Sequence, residues 1–273
     1  MPYDKNSSGL TAWPDDIPAD CDELLLYANK IKKVDKAIGT LSKLTTLNLF
    51  NNVIGLSLPD EIGSLAELNE VNLAANKLAM LKDVHFASWG KVTILNLNDN
   101  NLSRMGSLAP LVALEELRLY GNQLEAFPTL STHPELKIYE AHKNRVAEAP
   151  DDYFQATPAL ERVSIWGNQL KALPSSLCKC AKLVGVQAHE NPELAALPDG
   201  PWPATLETLF IQDTKISKLP ASLEQAALKR VNISKLPLDK DADELAEKMG
   251  KMILAKPDGI FWDKSGKQTK SSP

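Results

Sequence analysis

The sequence is short of the residues that covalent bracing, membrane insertion and most catalysis depend on. Cysteine occurs only three times in 273 residues, an odd number that excludes a fully paired disulfide framework. No segment approaches the ~20 consecutive apolar residues needed to cross a bilayer. The opening MPYDKNSSGL has no apolar stretch of the signal-peptide kind. A chain that stays in the cytoplasm, with no membrane partner, is therefore expected. A block of positive charge is also missing: Lys and Arg number 30 against 35 Asp and Glu, a net charge of −5, and the basic residues are scattered. Nucleic acid is not an expected partner. There is no phosphate-binding G-x-x-x-x-G-K-[ST] loop, no G-x-S-x-G turn and no kinase motif, so the chain reads as a non-enzyme without cofactors.

What the sequence does have is leucine at fixed intervals. Leu114, Leu117, Leu119, Asn122 and Leu124 spell L-x-x-L-x-L-x-x-N-x-L. The same frame opens at Leu44, Leu68, Val92, Leu136 and Leu160, with weaker copies at Cys21, Leu183, Leu206 and Leu228. Its asparagine recurs at 29, 52, 76, 100, 122, 144, 168 and 191; Thr214 takes the ninth slot and Leu236 the tenth. In a strand, alternate residues face opposite sides, so L-x-L puts one row inward and one outward. A single repeat cannot bury the inner row, whereas stacked neighbours can, pairing as a parallel sheet. The asparagine turns the chain away from the sheet, and its amide satisfies backbone groups orphaned by the bend.

This pattern resembles the leucine-rich repeat family. The resemblance implies an α/β solenoid of about ten repeats, with a curved parallel sheet on the concave face and short helices or turns on the convex face. The outer register Leu58-Pro59-x-x-Ile62-x-x-Leu65 is similar to that of intracellular Ras-binding scaffolds. The spacing Met105, Leu108, Leu111, Leu114 is closer to phosphatase-regulating members. Three segments are expected. Residues 1–20 form an N-terminal cap in which Trp13 and Ile17 cover the first repeat, and 21–238 form the repeat domain. Residues 239–273 form a C-terminal cap, with a helix over 239–254 and a hairpin around Asp263–Gly266.

Numbering the frame from its first leucine, positions 3, 5, 7 and 8 project from the concave face. Positions 5, 7 and 8 from the fifth repeat onward supply Arg118, Tyr120, Glu140, His142, Trp166, His189, Glu190 and Phe210. Aromatic and arginine side chains held away from the core are the types that dominate protein-protein contacts. These eight are the expected protein-binding residues of an interaction module or regulatory scaffold. Mutual stacking of the rings is the alternative reading of the same cluster. Tyr27 and Phe50 form a second, smaller patch. Cys178, Cys180 and His189 are metal-ligand types, but the register puts Cys180 inward and His189 on the opposite face, so no metal is expected. His133 is placed as a partly buried spacer and His85 on the outer side. The family resemblance implies a small GTPase, a phosphatase or a kinase as partner, with the chain itself a monomer. A structural subunit of a larger assembly and a small-ligand-binding repeat protein are the alternatives.

Overall fold

A computed structural model describes residues 1–271. The chain forms two compact units, Met1–Leu136 and Lys137–Pro273. Each is a stack of repeats with the leucine-rich repeat solenoid fold.

In the first unit the strands are β1 (Pro2–Asp4), β2 (Glu23–Leu25), β3 (Thr46–Asn48), β4 (Glu70–Asn72), β5 (Ile94–Asn96) and β6 (Glu116–Arg118). They pair in parallel and in chain order. Strand centres align in register, Leu24 with Leu47, Leu47 with Val71, Val71 with Leu95 and Leu95 with Leu117. None of these five is more than 1% exposed. Each such side chain contributes about 2 kcal/mol by leaving water. Short 3-10 helices at Lys36–Thr40, Asp60–Ser64 and Asp83–Phe86 pack on the other side. Trp89 is buried there, its indole donating to the Ile62 carbonyl at 3.1 Å.

The second unit continues the same logic in β7 (Ile138–Glu140), β8 (Arg162–Ser164), β9 (Gly185–Gln187), β10 (Thr208–Phe210) and β11 (Arg230–Asn232). Its buried row runs Tyr139, Val163, Val186, Leu209, Val231. Helix α1 (Lys240–Leu254) follows, capped by Asp239, whose carboxylate accepts from the Ala242 amide. The face it buries is Ala242, Ala246, Met249, Gly250 and Ile253, while Met252 is 39% exposed. The hairpin then adds β12 (Ile260–Trp262), parallel to β11, and β13 (Gln268–Lys270), antiparallel to β12. Phe261 pairs with Val231 and extends the inward row. Residues 272 and 273 lie outside the described part.

The asparagines do what the bend requires of them. Asn76 Nδ2 donates to the carbonyls of Leu49 and Leu73, and its Oδ1 accepts from the Ile54 amide. The same three bonds recur at Asn52, Asn100 and Asn122, and again at Asn168 and Asn191. Thr214 keeps one donor bond, to Ile211, and accepts weakly from Ile216.

Three expectations change. Position 8 does not present side chains from a strand. Ala28, Asn51, Ala75, Asp99, Gly121, Lys143, Gly167, Glu190, Asp213 and Lys235 all have φ between 53° and 67°, because this residue makes the left-handed turn before each asparagine and before Thr214 and Leu236, which take its slot. Position 7 is not uniformly open: Ala74, Asn98 and Ser234 are buried, since short side chains there are overtopped by their neighbours. The N-terminal cap also contains a strand. Tyr3 on β1 pairs with Leu24, and Asn29 donates to the Lys5 carbonyl, so the cap imitates a repeat. Trp13 and Ile17 are half-buried beside it.

Candidate functional site

Stacked strands carry residues of like position side by side, ~4.8 Å apart. In the second unit that spacing, within the ~4.5–7 Å between centroids of offset-stacked rings, lines up His142, Trp166 and His189. The Trp166 ring lies 4.7 Å from His142 at 12° and 4.9 Å from His189 at 11°. His189 meets Phe210 edge-on at 6.5 Å, and Phe210 meets Trp262 at 5.9 Å. The row thus steps from position 7 to position 5 and ends on β12. Lys143 holds its ammonium 5.0 Å from the Trp166 ring centre, a cation–π contact.

His142 is fixed by a 3.1 Å bond between Nδ1 and the Ser164 hydroxyl. The His189 side chain is 12% exposed, and its Nδ1 has no hydrogen-bond partner. Burial pushes its pKa below the usual imidazole value, against the opposing pull of Glu190 and Asp213. Half-buried rather than open describes Trp166, His142 and Phe210. Their rings shield one another, as the stacking alternative requires, yet the row as a whole still faces solvent.

Beside the row is a cleft of about 450 Å³ reached by Glu140, Trp166 and Gln187 and bordered by Arg162, Glu207 and Arg230. Gly185 and Thr208 lie along its floor. Glu207 is paired with Lys229 at 2.7 Å. Arg118 and Tyr120 belong to the first unit, where Arg118 pairs with Glu116. Glu190 is exposed, on the left-handed turn next to His189. Tyr27 and Phe50, both in the first unit, are each 39% exposed.

Sequence reasoning missed Arg162, Gly185, Thr208 and Arg230. All four occupy position 3, which the register already assigns to the sheet face. Trp262 had no such signal, because the segment around it lacks the repeat frame and only strand pairing brings it beside Phe210. His133 and His85 are fully buried. His133 Nε2 bonds the Leu108 carbonyl and its Nδ1 accepts from Ser131, while His85 Nδ1 accepts from Lys82. Cys180 is buried in the core, and His189 projects from the sheet face. Among the described residues no three His, Cys, Asp or Glu side chains are grouped to hold a metal ion. No helix there is long and apolar enough to cross a membrane.

Leucine rich repeat families match residues 43–65 and 66–124. Curated proteins give no sequence match. Solved structures give many. A leucine-rich repeat protein of Leptospira interrogans superposes with a TM-score of 0.65 at 23% identity, covering 85% of this chain and 71% of that one. An internalin of Listeria monocytogenes gives 0.61 at 19%, covering 85% and 72%. The leucine-rich repeat region of FLRT2, solved in an octameric complex with Latrophilin 3 and Unc5D, gives 0.62 at 23%, covering 87% and 76%. Residues 43–124 thus carry leucine-rich repeats, and the chain has the fold of a leucine-rich repeat solenoid.

Proposed function

We propose that this protein is a non-enzymatic interaction module whose second unit grips a protein partner on the sheet face, along the row centred on Trp166. The observation that carries this reading is the stack of Trp166 between two histidines on a face turned away from the core. Within this stack His189 Nδ1 is left without a hydrogen-bond partner. Rings already locked by stacking lose little further rotamer freedom on binding, which lowers the entropic cost of association. Tryptophan is one of the residue types enriched among interface anchors. FLRT2, similar in fold, is itself found in a multiprotein complex.

Arg118 and Tyr120 are the first unit's contribution to this proposal and are tested separately. Three free cysteines, two of them buried, suit a reducing compartment such as the cytoplasm. Small GTPases, phosphatases and kinases are the partner classes that the family resemblance implies. The test is affinity capture from cell extract with the whole chain against Trp166→Ala. Captured partner should drop at least ~10-fold, the scale of one interface hot spot, with the circular dichroism spectrum unchanged. Equal capture by the variant removes the row from the binding surface. Tyr120→Ala, measured in parallel, reports on the first unit alone.

A further inference from the structure

Position 3 of β8 to β11 reads Arg162, Gly185, Thr208, Arg230, two small residues between two arginines. Three strand steps separate the arginine backbones by ~14 Å, and each guanidinium reaches ~6 Å from its Cα. Both can therefore reach a small group held midway between them. The gap between them is the cleft beside Trp166. Both arginines are exposed, and neither forms an ion pair among the described residues. On the floor, Thr208 is 6% exposed and its hydroxyl has no hydrogen-bond partner. That hydroxyl oxygen is covered, so Thr208 shapes the floor and leaves anion recognition to the two arginines.

Gly185 has no structural need to be glycine. Its φ is not in the left-handed region, and an added Cβ would meet only the Thr208 Cβ, at an ordinary 3.8 Å. What its missing side chain provides is the open space. The cleft is also edged by Glu140 and Glu207, the second paired with Lys229. These two carboxylates set negative charge at the edge of the cleft, which favours a singly charged ligand over a phosphate dianion.

Resting on the reading of this face as a partner surface, we propose that the cleft receives a carboxylate side chain of the bound protein segment. Arg162 and Arg230 clamp it from either side, above the small floor of Gly185 and Thr208.

The test needs no identified partner. A capped hexapeptide containing one tryptophan and one glutamate is titrated into the 15N-labelled whole protein, with glutamine and phosphoserine versions alongside. The Gly185 amide and the Arg162 and Arg230 Nε–H signals should shift saturably with the glutamate peptide. The glutamine peptide should bind ~10-fold or more weakly, the value of a charge-assisted hydrogen bond, and the phosphoserine peptide should bind no better than glutamate. Arg162→Gln, Arg230→Gln and the plug Gly185→Val should each lose at least the same factor. No saturable shift at Gly185, equal binding of the glutamine peptide, or tightest binding of phosphoserine overturns the proposal. If capture of the cell partner is lost in Trp166→Ala but kept in all three cleft variants, the cleft assignment falls while the partner surface stands.

Discussion

Asn76 shows how much of this fold rests on single side chains. Its amide closes two carbonyls and one N–H that the turn would leave buried and unpaired. Asn76→Ala should therefore cost about 3 kcal/mol, the sum of several lost buried bonds, measured as a shift in the urea unfolding curve. Thr214, with one donor bond in the same slot, gives the converse test: Thr214→Asn should add up to ~1 kcal/mol. The histidines make a second prediction. Burial holds His85, His133 and His189 below the usual imidazole value. At His85 and His133 the Nδ1 atom accepts a backbone N–H, so a proton there would set donor against donor. Because the unfolded chain takes up these protons first, stability present above pH ~6.5 is lost as pH falls below that value, and levels off once the folded rings titrate. Unfolding midpoints recorded from pH 7.5 to 5 should decline, and His133→Gln should flatten the slope. Asparagines and their spacing were readable directly. The left-handed turn before each was not, since only two of its ten residues are glycine and Lys143 or Glu190 in that slot looks like any surface residue.

At the level of elements, the outer helices sit so close that a side chain too many is not accommodated. Gly63, within Asp60–Ser64, faces the helix Asp83–Phe86, and a Cβ there would lie 1.8 Å from the Val84 carbonyl oxygen. Gly63→Ala should destabilise the protein by about 3 kcal/mol by forcing these helices apart. The control Gly185→Ala, with its 3.8 Å clearance, should leave the midpoint nearly unchanged. Helix α1 was legible from its spacing and its acidic start. Its buried face was legible only in part, because Ala242, Ala246 and Gly250 carry no strong hydrophobic signal, whereas Met252 does and is exposed. The hairpin was legible as a turn between two short strands. That its first strand pairs with β11 and brings Trp262 to the ring row depends on contacts with residues some thirty positions away.

Across the whole molecule the thiols offer a readout of each unit. Burial raises the pKa of Cys21, in the first unit, and pushes Cys180, in the second, up to about 11. Both stay protonated and covered at pH 8. Alkylation of each should be at least ~10-fold slower than that of a free thiol and should accelerate only as its own unit opens, which mass spectrometry after timed quenching would resolve. Fast labelling of Cys180 in the native protein would contradict its place in the core. The sequence by itself determined the repeat, the inward row and the asparagine ladder, and which residues share the sheet face, because a period repeated ten times can be satisfied by one packing only. The tertiary structure alone decided which side chains on that face meet. The ring row and the cleft arise from distances between neighbouring strands, and a repeat pattern states the position of a residue within its own turn but not what the next turn sets beside it.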